Sequence, residues 1–176
     1  MKWRMTCAVF AAGIVVGALA MHERSWQSAR AGDADAVGAR LHRIEDQLAI
    51  ERLLMQYGAA LDSRDFAAYS QLFAANGSWS GGLGTFKGPA TIKTAMEKAF
   101  SAPSAPAAGA SFHVLTNPLI DVHADRATAL SRWTFFTTVE GKPTPTLAGR
   151  YEDTLIKENG SWKFLSRVAS GGAPRS

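Results

Sequence analysis

Residues 146–169 read TLAGRYEDTLIKENGSWKFLSRVA. Two runs rich in β-branched and aromatic residues, Thr146–Glu158 and Ser161–Ala169, flank Asn159-Gly160. Asn-Gly between such runs is a strong hairpin signal, because both residues tolerate the positive φ that a two-residue turn demands. Two similar runs precede the hairpin, Phe112–Val122 and Ala127–Glu140, with breaks at His123-Ala124-Asp125 and Gly141-Lys142-Pro143. Four consecutive strands with short links predict an antiparallel meander.

Upstream the period changes. Leu41, Ile44, Leu48 and Met55, together with Ile50, Leu53, Leu54, Tyr57 and Leu61, recur at helical spacing, and Glu45, Asp46, Glu51 and Arg52 fall on the other face. Asp62-Ser63-Arg64-Asp65 ends that helix, and Phe66, Tyr69, Leu72 and Phe73 predict a short second one. Asn76-Gly77 reads as a turn, and Trp79 opens a Gly-rich strand pair that runs to Phe86. Gly88-Pro89 followed by Ile92, Met96 and Phe100 predicts a third helix with Pro at its first position. Residues 101–110, SAPSAPAAGA, read as a loop. Three helices packed on one face of a curved, mainly antiparallel sheet make an α+β domain, with a pocket expected between the layers.

The start of the chain reads as an address. Lys2 and Arg4 precede the uncharged run Met5–Met21, which contains Ala18-Leu19-Ala20. This predicts a signal peptide over 1–20, cleaved after Ala20, and a periplasmic or secreted protein. The alternative is an uncleaved membrane anchor, since a run of 17 residues is at the lower limit for crossing a bilayer. Residues 21–40, rich in Ala, Ser, Gly and Asp, predict a flexible linker, 41–170 the domain and 171–176 a flexible tail.

Composition excludes several chemistries. The one Cys, Cys7, belongs to the leader, so the mature chain has no thiol for a disulfide, a nucleophile or a metal. The pI near 9.5 suggests nucleic acid. Loss of Lys2 and Arg4, however, takes the net charge from +4 to +2 and leaves no basic block, so no nucleic-acid partner is expected. His22, His42 and His123 lack metal-ligand spacing, and Gly81-Gly82-Leu83-Gly84 lacks the Gly-Lys-Ser/Thr of a phosphate loop. Neither metal nor cofactor is expected.

Three groups of residues carry a resemblance. They are Tyr57-Gly58-Ala59-Ala60-Leu61-Asp62 with Phe66-Ala67-Ala68-Tyr69 and Gly77-Ser78-Trp79, then Gly149-Arg150-Tyr151-Glu152-Asp153, then Gly160-Ser161-Trp162-Lys163-Phe164. In this order, over 41–169, the chain resembles the SnoaL-like family of the NTF2-like superfamily. The resemblance implies a cone-shaped α+β barrel with a ligand pocket at its wide mouth. Within it, the chain is most similar to γ-hexachlorocyclohexane dehydrochlorinases and more distantly to scytalone dehydratases. Gly84-Thr85-Phe86-Lys87-Gly88-Pro89 is the stretch that matches the former most closely. The family's catalytic positions fall on Asp62, His113 and Arg167, and a pocket Trp falls on Trp79. Tyr57 stands where the dehydrochlorinase has a lysine, which removes a cation that would assist a departing halide.

Those residues suit one chemistry. A histidine takes a proton near neutral pH, and an aspartate on its other ring nitrogen fixes the tautomer and stabilises the imidazolium. Arg167 or the Tyr57 hydroxyl would then face the developing anion. Strand parity puts His113, Leu115 and Asn117 on one face, which adds Asn117 to Tyr57 and Trp79 as substrate contacts, while Pro118 disturbs the alternation beyond. Each residue also has a structural alternative: Asp62 as cap of the second helix, His113 and Arg167 as ordinary strand residues, Tyr57 and Trp79 as core aromatics.

The expectation is a cofactor-independent lyase of the dehydratase type acting on a small hydrophobic, cyclic molecule. The alternatives are a non-catalytic ligand-binding or dimerisation domain, or a ketosteroid-type isomerase. A homo-oligomer, dimer or trimer, is expected through the outer sheet face, with Trp133, Phe135, Trp162 and Phe164 as the exposed aromatics.

Overall fold

Gly88 donates its N–H to Gly77 and adopts φ 84°, and Pro89 follows it as the first residue of a helix, as the sequence predicts. That joint sits within the order α1 (Ala8–Asp62), α2 (Phe66–Gln71), β1 (Phe73–Gly81), β2 (Gly84–Lys87), α3 (Pro89–Phe100), β3 (Ser111–His123), β4 (Arg126–Val139), β5 (Lys142–Glu158) and β6 (Ser161–Gly171). The computed structural model describes residues 8–103, 105 and 109–171, and of 8–29 and 31 the backbone alone. The chain divides into two units, Met1–Ile44 and Glu45–Ser176.

The described part of the first unit is helix. Residues 21–40, expected as a flexible linker, are helical backbone. Alanine is the best helix former, and Gly32 and Gly38 each cost only about 1 kcal/mol relative to it, so sparse apolar patterning misleads here. The expected leader lies partly outside the described residues. Among the described residues no helix is long and apolar enough to cross a membrane.

In the second unit the strand order is β2-β1-β6-β5-β4-β3. The last four strands form the expected antiparallel meander, but β1 lies parallel to β6, so the sheet is mixed rather than uniformly antiparallel. Asn76-Gly77 is a bulge inside β1, not a turn. A Cβ at Gly77 would lie 2.6 Å from the Phe164 carbonyl oxygen, so the absent side chain lets β1 close onto β6.

Of the two helical rows, Ile50, Leu53, Leu54, Tyr57 and Leu61 are buried, and Leu41, Ile44, Leu48 and Met55 are exposed. The buried row joins Tyr69, Phe73, Trp79, Ile92, Met96, Tyr151, Leu155, Trp162 and Phe164 in one core. Asp46 fixes the helix to the sheet: its Oδ1 accepts from Lys157 Nζ at 2.6 Å and from Trp162 Nε1 at 2.9 Å.

The aromatics expected on the outer face are inside. Trp162 and Phe164 are core, and Trp133 and Phe135 line a cavity. Alternation gives the reason: Ala127, Ala129, Ser131 and Trp133 share the concave side of β4, leaving Leu130 and Arg132 outside.

Candidate functional site

The end of α1 brings Asp62 to the start of β3. Its Oδ2 accepts from the His113 backbone N–H at 2.9 Å, and its Oδ1 lies 2.6 Å from His113 Nδ1. Asp62 does not cap α2; Asp65 does, accepting from the Ala68 N–H at 2.9 Å. With Nδ1 committed to the carboxylate, Nε2 is the nitrogen left to the cavity, whose wall His113 joins. Phe135 packs on the imidazole at 4.6 Å between centroids, and the His113 side chain is only 11% exposed.

The cavity holds about 440 Å³, a volume suited to a small organic molecule. Leu61, Trp79, Met96, Phe100, Trp133, Phe135 and Leu147 supply apolar walls, and the polar groups are His113 and the hydroxyls of Tyr57, Tyr69 and Tyr151. Phe100 is held from behind by stacking on Phe66 at 5.6 Å and by the Arg64 guanidinium 3.8 Å from its ring centre.

Tyr57, Tyr69 and Tyr151 are the chain's only tyrosines, and they meet at the cavity floor. Tyr57 accepts from the Tyr69 hydroxyl at 2.8 Å and from Trp79 Nε1 at 3.0 Å. Burial pushes the Tyr69 and Tyr151 phenols well above their ordinary value, and the neighbouring Tyr57 adds to it. Both therefore stay protonated at neutral pH.

Arg167 is beneath the cavity rather than in it. Its Nε donates to Asp153 Oδ1 at 2.7 Å and its Nη2 to Asp153 Oδ2 at 2.6 Å, in a fully buried fork. The rings of Tyr57, Tyr151 and Phe164 surround the guanidinium at 3.9, 4.2 and 4.1 Å. Burial alone would lower its pKa, but the Asp153 carboxylate outweighs it and holds the group above its ordinary range. Expected as an anion contact, Arg167 instead carries charge under the rings that line the cavity. A bulge explains its inward turn: Leu155 pairs with Phe164 and Thr154 with Ser166, so one residue of β6 is skipped and odd-numbered positions face inward afterwards.

Asn117 also departs from expectation. It is exposed, has φ 52°, and lies in a bulge of β3 between Thr116 and Leu119, outside the cavity wall. Inward positions change there from His113 and Leu115 to Ile120 and Val122. Of the expected site residues, His113, Tyr57 and Trp79 line the cavity, with Asp62 joined to His113. Tyr69, Tyr151, Trp133 and Phe135 are wall residues that sequence reasoning did not assign. Tyr69 had only a helical-spacing signal. No group of three or more metal-ligating side chains occurs among the described residues.

Solved structures share this architecture. An NTF2-like protein with a cystatin-like fold from Novosphingobium aromaticivorans is 26% identical, with a TM-score of 0.69 over 80% of this chain and 90% of that one. LinA is 22% identical, with a TM-score of 0.65 over 76% of this chain and 90% of that one. A putative scytalone dehydratase from Novosphingobium aromaticivorans is 24% identical, with a TM-score of 0.61 over 74% of this chain and 87% of that one. Among curated proteins none matches. The family model described as SnoaL-like domain matches residues 42–168. With its mixed sheet closed over a cavity by helices, the chain belongs to the family of SnoaL-like domains.

Proposed function

We propose that this domain is a lyase that eliminates water from a small, hydrophobic, cyclic substrate. The observation that supports this reading is the 2.6 Å contact between Asp62 Oδ1 and His113 Nδ1, at the wall of a mainly apolar cavity. In this reading His113 Nε2 takes a proton from the carbon beside the one that carries the leaving hydroxyl. The released C–H electron pair becomes the new C=C bond, the C–O bond breaks, and the imidazolium returns its proton so that the leaving group departs as water. Asp62 holds the ring's tautomer and offsets the charge on the imidazolium. Apolar walls exclude bulk water and strengthen these electrostatic terms.

A thermal-shift screen of cyclic ketones and alcohols, followed by turnover assays on the binders, tests the proposal. A β-hydroxy ketone converted to its enone by the wild type and left unchanged by His113→Gln is the expected result. Product analysis separates water loss from migration of a double bond. Binding without conversion of any compound points to a ligand carrier and overturns the lyase assignment. The leader supports export with cleavage after Ala20, which N-terminal sequencing of the exported chain checks.

A further inference from the structure

We infer that α1 docks against α1 of further copies of this chain, side by side and in the same direction, through the apolar row Ala34, Val37, Leu41, Ile44 and Leu48. The association is independent of the chemistry in the cavity, whose walls include none of these residues.

The spacing of the row carries the inference. Its steps are three, four, three and four residues, which is the alternation of a and d places in a heptad. Ala34, Leu41 and Leu48 fall at a, and Val37 and Ile44 at d. An apolar row that repeats every 3.5 residues is the seam of supercoiled helices. The core takes a different row of the same helix, Ile50, Leu53, Leu54, Tyr57 and Leu61. Val37, Leu41, Ile44 and Leu48 are 53–62% exposed, and every residue of 32–45 except Gly38 is exposed. A helix exposed on all sides gains nothing from packing, and Gly32 and Gly38 weaken it further. Burial of the four large side chains against other copies supplies what a lone helix lacks.

The charges beside the seam select the partner and its direction. Arg40 stands at g, and Glu45 at the e place of the next heptad. In a parallel pair in register, Arg40 of each copy lies beside Glu45 of the other. An antiparallel pair centred on the row sets Arg40 beside Gln47 and Glu45 beside Gly38, so no opposite charges meet. Leucine at a with isoleucine at d favours three or four helices over two. Glu51 takes the next d place and ends the apolar seam. Between 33 and 46 the helix carries four acids against two bases, so an anionic lipid surface would repel it.

Sedimentation equilibrium of the full chain at low salt is the test. The wild type is expected to form an assembly of three or four chains, and Leu41→Glu to abolish it with the circular dichroism of the sheet unchanged. Arg40→Glu brings carboxylates together and weakens the association about tenfold, as Glu45→Arg does with cations. The double variant Arg40→Glu/Glu45→Arg restores the wild-type affinity to within about twofold, a repair that general damage to the helix would not show. A monomeric wild type, or an assembly that survives Leu41→Glu, overturns the inference. A monomer that binds anionic vesicles assigns the row to a lipid surface instead. Failure of the charge exchange to restore association overturns the parallel direction. A dimer with the full mutational pattern keeps the seam and overturns the count of helices.

Discussion

Asp62 and His113, 51 positions apart in sequence, are joined twice: one carboxylate oxygen takes the backbone N–H at 2.9 Å and the other meets Nδ1 at 2.6 Å. The first bond fixes the register of β3 against the end of α1, and the second fixes the ring. An amide in place of the carboxylate keeps an acceptor but loses the charge. Asp62→Asn should therefore lower kcat by about 10²–10⁴-fold. Thermal unfolding should move by only a few degrees. Turnover near the wild-type level in this variant would remove Asp62 from the mechanism.

Arg167 and Asp153 call for a different experiment, because neither lines the cavity. Removing one member leaves a buried charge without compensation, at a cost of about 3–5 kcal/mol. Replacing both with leucine removes the charge altogether, so Arg167→Leu/Asp153→Leu should be more stable than either single variant. Urea denaturation of the three proteins measures this. A double variant no better than the worse single one would show that the rings of Tyr57, Tyr151 and Phe164 require the cation itself.

Sequence and structure part company where strands break their own alternation. The hairpin at Asn159-Gly160 and all four strands of the meander are legible, because turn chemistry and strand composition are local properties. Asn117 and Arg167 are not. A bulge between Thr116 and Leu119 turns Asn117 outward, and another between Phe164 and Ser166 turns Arg167 inward, and each depends on the pairing partner. The Asp62–His113 approach is legible only through a family resemblance, since the position of Asp62 between two helices equally suits a helix cap. Tyr69 escaped notice because helical spacing explains its burial without reference to Tyr57, 12 positions earlier. The helical course of 21–40 was missed for the opposite reason: its alanines favour helix without leaving an apolar stripe.

The tyrosine cluster predicts a specific alkaline response. Tyr69 and Tyr151 hold their protons well above the ordinary range of a phenol, with burial as the leading cause. The folded state then binds more protons than the unfolded state above pH 10. Stability is fully present below that pH and is lost as pH rises toward the folded-state values. Absorbance at 295 nm should report these two phenolates only together with the loss of circular dichroism. Ionisation of Tyr69 and Tyr151 near pH 10 with the fold intact would contradict this account.

Gly149 sets how closely Trp133 approaches the sheet. On β5 it pairs with Trp133 of β4 and with Gly171 of β6. A Cβ there would lie 1.9 Å from the Ser170 carbonyl oxygen and 2.6 Å from Trp133 Cζ2. Backbone on one side and a packed indole on the other leave little room to yield. Gly149→Ala should cost about 3 kcal/mol. Because Trp133 lines the cavity and stacks on Tyr151 at 5.9 Å between centroids, the same change should also weaken binding of the cyclic ketones and alcohols that the wild type takes up. Gly141→Ala is the control, since a Cβ there meets nothing within 4 Å and only the positive φ of 75° is strained. That strain amounts to about 1–2 kcal/mol, with no change in ligand affinity. Denaturant midpoints and ligand titrations on both variants decide the matter: if Gly149→Ala behaves like Gly141→Ala, the indole is not held by the glycine and its position in the cavity wall has another cause.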